Sequence, residues 1–456
     1  MPQTGKSPIA TLLAPWAGLP KGLYAIFFAR IVTALGCFVM PLQTLILTER
    51  IGLSPDKAGL ILTLGSLLYL PGSFIGGKLA DHWGRKAVYL WFSLVACGLY
   101  VVCGMLPAGG AMVAVLMLAL FFMSMVDPAA VAMLSDLTTA DQRRSAFSLS
   151  YMGWNIGFAV GPILGGLLFE RHLAWVFWGD ALTTLLGLGL VLRYVHLPRM
   201  PVAGVSDAMP SGVADGAGGA DGAGVTDGAG GATPGMDPPG EGAGDASPIP
   251  LTEAERHVTG TALQVLFARP VLLVFSLLNF GFTFVYSQWA FLLPMQTAEA
   301  FGAKGAAFYG LLAGANGLLV IVLTPLVTRA THRTPYLRGM FYGGLLYAVS
   351  LGALCFVSGK PAYLLLIGLF TLGEVFCTLN AGTFTSVHTP ASHRGRLSAI
   401  TNSIGGAGYA LGPAVMGQVV ASVRLQGAWL VVGAVGLAAA LSMLAMRVWE
   451  VRQPKG

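Results

Sequence analysis

The sequence predicts an all-α membrane protein whose twelve transmembrane helices form two pseudo-symmetric six-helix bundles. Three observations support this prediction. Of the 456 residues, 55% are hydrophobic and 10% are charged, whereas a soluble domain has about 25% charged residues. Twelve apolar runs have the length of about 20 residues that a helix needs to cross a bilayer. The second half of the chain also repeats the glycine and proline pattern of the first.

The apolar runs set the predicted spans in chain order. They lie near residues 23–47, 58–80, 87–106, 111–134, 146–169, 174–196, 270–298, 306–329, 336–358, 361–386, 397–421 and 427–449. The segment ahead of the first run contains Pro15 and Pro20 and has no convincing cleavage site, so we expect no removed signal peptide.

The composition changes between the sixth and the seventh run. Residues 198–260 are rich in Gly, Ala, Asp and Pro, and such a segment cannot bury enough apolar surface to fold. We therefore expect an N-terminal six-helix bundle over residues 1–197, a disordered acidic cytoplasmic linker over 198–260 and a C-terminal six-helix bundle over 261–456. We expect the linker to act only as a tether between the two bundles. A regulatory or partner-binding tail is the alternative.

An internal repeat relates the two halves. Such duplication is typical of transporters whose substrate site lies at the membrane midplane between two bundles that rock against each other. An offset of 251 residues aligns Arg143 with Arg394, Gly157 with Gly408, Gly161 with Gly412, Pro162 with Pro413, and Gly166 with Gly417.

The distribution of charge predicts the orientation in the membrane. With both termini placed inside, 19 of the 26 Lys and Arg lie on the inner side and Arg30 lies within a helix. This positive-inside bias predicts a multi-pass plasma-membrane protein with cytoplasmic termini, and it explains the net charge of +6 through anionic lipid, without nucleic acid. We expect a monomer. The six outer basic residues are Arg50, Lys57, Arg171, Lys304, Lys360 and Arg424.

Signals for enzymes, cofactors and metals are poor. Gly72 to Lys78 match GxxxxGK, but Leu79 stands where a Ser or Thr would bind magnesium. We therefore expect no enzyme, no cofactor and no metal, and transport driven by an ion gradient. The five cysteines lie in apolar spans without metal-ligand spacing and are interpreted as packing residues: Cys37, Cys97, Cys103, Cys355 and Cys377.

The turn between the second and third spans carries the most specific motif. Its glycines allow close helix packing, Asp81 can accept hydrogen bonds from a helix N-terminus, and Arg85 can reach a carboxylate on an adjacent helix. The pattern resembles the signature GxLADxxGRK of major facilitator superfamily (MFS) transporters, which implies the MFS fold and alternating access. The matching residues are Gly77, Leu79, Ala80, Asp81, Gly84, Arg85 and Lys86.

The same resemblance implies a gating network at this turn. In the family, an acidic residue at the inner end of the fourth span, here Asp136, joins Asp81 and Arg85 to hold the outward-facing state closed on the cytoplasmic side. Arg143 or Arg396 are expected as further members. The alternative role of these residues is helix capping and headgroup contact. The copy of the motif in the second half is degraded.

The fifth span contains the pattern GxxxGPxxGG, formed by Gly157, Gly161, Pro162, Gly165 and Gly166. It resembles the fifth-helix motif of proton-coupled MFS antiporters, especially drug exporters. A tightly packed glycine helix is the alternative. The fourth span departs from that branch, because the region around residues 116–125 lacks the Arg and the Gly-rich stretch that accompany proton transfer there.

Three ionisable residues lie deeper within spans, where charges tend to mark ion or substrate paths. Arg30 and Asp127 both lie about 13 Å from the inner helix ends, so we expect them either to pair or to take part in proton coupling. Glu374 lies near the midplane without a basic residue in its span, and it is the first choice for proton coupling. A hydrogen-bonded Glu that never titrates is the alternative.

Other polar residues in the spans receive weaker assignments. Asp180 is expected near the outer third of its span in a packing role, and His388 and His393 are expected to contact lipid headgroups. Candidates for substrate contact combine aromatic faces with amide groups: Gln43, Trp154, Asn155, Asn279, Tyr286, Gln288, Trp289 and Asn380.

The expected function is therefore secondary active transport by alternating access. The resemblance to antiporters favours proton-coupled export of small amphiphilic or drug-like molecules. The alternatives on the same fold are a metabolite uptake symporter and a lipid or glycolipid translocator.

Overall fold

The computed structural model describes residues 16–197, 261–331, 333–390 and 394–452. The predicted linker, residues 198–260, lies outside the described residues, as does His393. Within the described ranges all regular secondary structure is helical, which confirms the predicted all-α class.

Twelve helices, α1 to α12, account for the predicted spans. Ten segments of the described chain are long and apolar enough to cross a membrane, and two of them, Pro270–Thr331 and Ile400–Glu450, each contain two spans. The first half comprises α1 (Lys21–Arg50), α2 (Pro55–Trp83), α3 (Arg85–Met105), α4 (Gly110–Asp136), α5 (Ala140–Phe158 and Gly161–Phe169) and α6 (Leu173–Tyr194). The second half comprises α7 (Pro270–Phe301), α8 (Gly305–Thr331), α9 (Tyr336–Gly352), α10 (Lys360–His388), and α11 and α12, which share the segment Arg394–Arg452 and meet at Arg424. A short helix, Ala262–Phe267, precedes α7.

Three spans of the first half are interrupted, and each interruption lies just before a proline. The α-helix of α1 stops at Leu35, resumes over Val39–Leu45, which contains Pro41, and ends in the π-helical turn Ile46–Arg50. Helix α4 is interrupted at Met125, just before Pro128, and α5 at residues 159–160, just before Pro162. A proline has no N–H to donate and crowds the preceding turn, so a helix bends or breaks there.

The two halves pack along two seams. Helix α2 lies against α11 in the first seam, α5 lies against α8 in the second, and the end of α1 contacts α7 between them. Among the described residues, the main packing partners of helix α6 are helices of its own half. We call the end of the molecule at which α2 passes into α3 the Asp81 end, and the opposite end, where α1 passes into α2, the Arg50 end.

Candidate functional site

The two seams are close-packed at the Arg50 end. Gly59 of α2 lies against the carbonyl of Pro413, and Gly310 of α8 lies against the carbonyl of Pro162, each so closely that a side chain would overlap the oxygen. Each member of one pair is 251 positions from its counterpart in the other pair. The sequence repeat is therefore also a repeat of the contact between the halves.

A second pair of glycines extends the same symmetry toward the Arg50 end. Gly417 of α11 contacts the backbone of Pro55, and Gly166 of α5 contacts the backbone of Ala306. The hydroxyl of Thr44 on α1 adds a hydrogen bond to the carbonyl of Ala290 on α7, at 2.9 Å. These contacts bring the two halves together at the Arg50 end.

The glycines of the fifth-helix motif divide between two neighbours. Gly157 and Gly161 lie against the backbone of α1 near Ala34, and Gly165 lies against Phe38. Gly166 alone faces α8. The motif therefore packs α5 against α1 and, through Pro162 and Gly166, against the other half of the molecule.

The carboxylate of Glu374 lies at the middle of α10 and is held by neutral donors. The Tyr286 hydroxyl on α7 donates to Oε1 at 2.9 Å, and the Asn316 amide on α8 donates to Oε2 at 2.7 Å. Asn316 also donates to the Thr371 hydroxyl at 3.0 Å. Among the described residues no cation pairs with Glu374. Glu374 thus has hydrogen-bond partners that the sequence did not reveal, and no counter-ion within the described ranges.

Aromatic rings cluster around Tyr286, a hydrogen-bond partner of this carboxylate. The Tyr286 ring stacks on Phe370 with a centroid separation of 5.7 Å, and it lies 6.2 Å from Tyr409. Trp289 and Tyr347 also stack on Phe370, at 5.9 and 5.2 Å. We call Tyr286, Trp289, Tyr347, Phe370 and Tyr409 the ring cluster. A carboxylate beside aromatic faces is suited to an organic cation, because both attract positive charge.

The expected pair of Arg30 and Asp127 is not formed. The Arg30 guanidinium lies over the Trp154 ring, 5.7 Å from its centroid, while the Asp127 carboxylate accepts a hydrogen bond from the Tyr69 hydroxyl at 2.7 Å. Packing explains the separation: Arg30 lies against Gly153 and Trp154 of α5, whereas Asp127 is directed toward α2. The pairing prediction is therefore wrong, and neither charge neutralises the other by direct contact.

The gating motif is partly assembled. Arg85 forms an ion pair with Asp136 between α3 and α4, as predicted. Gly84 has a φ of 90°, which favours glycine. Asp81 is exposed and forms no hydrogen bond or ion pair with any described residue, so its predicted contact with a helix N-terminus is absent here. Arg143 is also exposed.

The close helix contact of this motif comes from a neighbouring glycine. Gly76 lies against the backbone of Met125, at the interruption of α4, whereas Gly77 has Pro128 as its nearest neighbour at 3.9 Å. Gly77, although it matches the signature, is thus not the residue that brings α2 and α4 together.

Two of the weaker assignments need correction. Asp180 lies in the third of α6 nearest the Arg50 end, as predicted, but it does more than pack. Its carboxylate accepts hydrogen bonds from the backbone N–H groups of Phe38 and Val39, at 3.2 and 3.1 Å, across the interruption of α1. His388 does not point to headgroups: its ring lies 3.0 Å from a carboxylate oxygen of Glu450 on α12.

The candidates for substrate contact divide into two groups. Tyr286 and Trp289 belong to the ring cluster, and Trp154 lies under Arg30. The amides are mostly engaged in helix packing. Gln288 is fully buried and donates to the Phe284 carbonyl at 2.9 Å. The others are Asn155, which donates to the Tyr151 carbonyl; Asn380, which is packed against Gly339; Asn279, which faces Gly405; and Gln43, which is half-buried.

Comparison with known proteins identifies the class of molecule. Two related six-helix halves that meet closely at one end are typical of membrane transporters built from an internal repeat. The family model of the Major Facilitator Superfamily matches residues 23–405 and 291–456. The chain belongs to this superfamily and is a secondary transporter.

Relatives and solved structures of this fold have diverse functions. The chain is 21% identical to a Na(+), Li(+), K(+)/H(+) antiporter of Planococcus maritimus over 78% of this chain and 80% of the relative. It is 25% identical to the multidrug resistance protein MdtH of Yersinia pestis (strain Pestoides F) over 37% of this chain and 42% of the relative. A crystal structure of the peptide transporter POT in complex with sulfate superposes with a TM-score of 0.66, at 17% identity, over 95% of this chain and 96% of that chain.

Proposed function

We propose that the protein exchanges protons for small amphiphilic organic cations and exports them from the cell. The observation that carries this proposal is the setting of Glu374, a carboxylate that the neutral donors Tyr286 and Asn316 hold beside the ring cluster, with no cation paired to it in the described part of the chain. Such a carboxylate can hold a proton or lie next to a cation.

Competition for one carboxylate gives antiport. When the proton is bound, the site is neutral and an organic cation gains little from it. When the proton leaves, the negative charge and the aromatic faces attract the cation together. Because each ligand displaces the other, the two move in opposite directions through an alternating-access cycle.

The direction of export follows from orientation. The positive-inside bias predicts that the Asp81 end faces the cytoplasm. The halves meet at the Arg50 end, so the conformation described above corresponds to a transporter that receives its substrate from inside. The relatives named as a cation/proton antiporter and a multidrug resistance protein support the same interpretation by similarity.

Proton flux in proteoliposomes tests this proposal. Tetraphenylphosphonium, a lipophilic cation, and a neutral amphiphile of similar size are added to wild type, Glu374→Gln and Glu299→Gln. Glu299 is an exposed carboxylate near the Arg50 end and serves as the matched control. We expect the cation to drive proton movement in wild type and in Glu299→Gln, but not in Glu374→Gln.

Two results would contradict the proposal. Cation-driven proton movement that persists in Glu374→Gln would remove Glu374 from the coupling. Uptake of the neutral compound without proton movement, in wild type and variants alike, would favour facilitated diffusion or lipid translocation on the same fold.

A further inference from the structure

A groove with a basic rim lies between α1 and α6 at the Asp81 end. Its volume is about 470 Å³. The rim carries Lys21, Arg193 and His196, and the wall is formed by Tyr24, Tyr194 and Phe28 with other apolar side chains. No acidic residue lines the groove among the described residues. The groove therefore combines positive charge at its rim with an apolar wall.

This groove is on the outer surface of the molecule and not in the space between the halves. The main packing partners of helix α6 in the described chain are helices of its own half. The opposite face of α1 buries Leu23 and Ile26 in the core of that half. On the groove side, Phe28 and Tyr194 are each 56% exposed. In a membrane-spanning protein, an exposed apolar face of this kind is in contact with lipid.

The basic groups of the groove are not used elsewhere in the described part of the chain. Lys21, Arg193 and His196 form no hydrogen bond or ion pair there, and Arg193 only lies over the Tyr194 ring, at 5.5 Å. These three side chains do not cap α6. Lys86 already fills that role, because it donates hydrogen bonds to the carbonyls of Leu192 and Val195 at the end of α6, at 3.0 and 2.6 Å.

The start of α1 adds to the positive field. Its first turn contains no acidic residue, and the preceding residue, Pro20, provides no side-chain cap. The first N–H groups of a helix have no intrahelical partner, and they lie at the helix end that carries Lys21. Backbone and side chains together favour an anion at this position.

We propose that this groove binds one anionic phospholipid of the inner leaflet. The phosphate lies between Lys21 and Arg193, and an acyl chain runs along Phe28 and Leu190. Basic pockets at the ends of transmembrane helices attract anionic headgroups, and the apolar wall distinguishes a lipid from a soluble phosphate. The choice of leaflet rests on the predicted orientation, whereas the binding chemistry is independent of the proposed transport function.

Native mass spectrometry of the full chain, with equal amounts of phosphatidylglycerol and phosphatidylcholine in mixed micelles, tests the proposal. The double variant Lys21→Gln/Arg193→Gln removes the rim charges. The matched control Arg333→Gln/Arg338→Gln removes two exposed charges, one from the turn between α8 and α9 and one from the start of α9. Ala25→Trp fills the groove without changing charge. Monodisperse elution by size exclusion confirms that each variant is folded.

We expect the rim variant and Ala25→Trp each to retain about threefold less phosphatidylglycerol than wild type, while the control matches wild type. Equal loss in both double variants would overturn the proposal, because basic charge in general would then explain the binding. Retention by Ala25→Trp would overturn it as well. The acidic segment 198–260 is a competing occupant: if phosphatidylglycerol binds only after residues 205–250 are deleted, the groove belongs to that segment.

Discussion

The hydroxyl of Thr63 on α2 donates a hydrogen bond to the carbonyl of Ala410 on α11, at 2.7 Å. It also accepts one from the backbone N–H of Ala414, at 3.1 Å. The hydroxyl thus bridges a carbonyl and an amide that would bond to each other in an uninterrupted α-helix. In the other seam Gly314 occupies the equivalent position against the carbonyl of Ala159, and there α5 is interrupted. A side chain from the opposite half therefore completes one proline-containing helix and not the other.

Thr63→Val should weaken the first seam. The substitution keeps the shape of the side chain but leaves the Ala410 carbonyl and the Ala414 amide without their partner, which costs about 1–3 kcal/mol of stability. Thermal unfolding in detergent measures the change. The control is Thr328→Val, because the Thr328 hydroxyl bonds only the carbonyl of Thr324 in its own helix. Equal effects of the two substitutions would show that the bridge between the halves contributes nothing.

Gly166→Ala should prevent full closure at the Arg50 end. A methyl group at this position would overlap the carbonyl of Ala306 on α8, so the seam must widen. Spin labels on cysteines placed at Glu49 and Glu299, which are exposed near the Arg50 end, report the distance between the halves in a Cys355→Ser background. We expect a longer distance and slower transport. Gly98→Ala, which places its methyl in open space, is the control and should change neither.

The sequence predicted the fold better than the contacts of the site. Span length, the 251-residue repeat and the Asp81 motif were sufficient for twelve helices in two related halves, because hydrophobic length and glycine patterns are local properties. The partners of Glu374 could not be predicted, because Tyr286 and Asn316 lie on other helices, 88 and 58 positions from Glu374 in the sequence. Depth alone suggested that Arg30 and Asp127 meet, but depth does not specify the rotation of a helix about its axis.

Some residues of the seams could have been found from the sequence. The offset of 251 that aligns Pro162 with Pro413 also aligns Gly59 with Gly310, and the structure places each glycine of the second pair against a proline of the first. Thr63 could not have been found in this way, because its counterpart is Gly314. Its role depends on the difference between Thr63 and Gly314 at equivalent positions of the two halves.

Tyr286→Phe should slow cation-driven exchange. The Tyr286 hydroxyl donates to Oε1 of Glu374, and its removal leaves that carboxylate oxygen without its donor, which costs about 1–3 kcal/mol. The rate of proton movement driven by tetraphenylphosphonium in proteoliposomes measures the change. Tyr347→Phe is the control, because this ring belongs to the same cluster without a hydrogen bond to Glu374. An equal loss in both variants would contradict the assignment.

Asp81→Asn should slow transport with little change in stability. Because Asp81 has no partner among the described residues, its replacement should change the free energy of unfolding of this conformation by less than about 0.5 kcal/mol. Transport should nevertheless slow severalfold if Asp81 is engaged when the Asp81 end closes. Arg85→Gln breaks the ion pair with Asp136 and should lower both quantities. Unimpaired transport by Asp81→Asn, measured in the same liposomes, would remove Asp81 from gating.

Asp180 should prove essential to the shape of α1. Its carboxylate accepts the N–H groups of Phe38 and Val39, and its side chain is 8% exposed. Asp180→Leu leaves both amides buried without a partner, at about 1–3 kcal/mol each, whereas Asp180→Asn keeps an acceptor oxygen and should have a smaller effect. Thermal unfolding distinguishes the two.

The same pair of variants links Asp180 to closure at the Arg50 end. The part of α1 that follows the interruption carries Thr44, whose hydroxyl bonds Ala290 of the other half. If the Asp180 carboxylate orients that segment, Asp180→Leu should also lengthen the distance between labels at positions 49 and 299, while Asp180→Asn leaves it near the wild-type value. Destabilisation of equal size in both variants would instead mean that negative charge at this position, and not the acceptor geometry, supports α1.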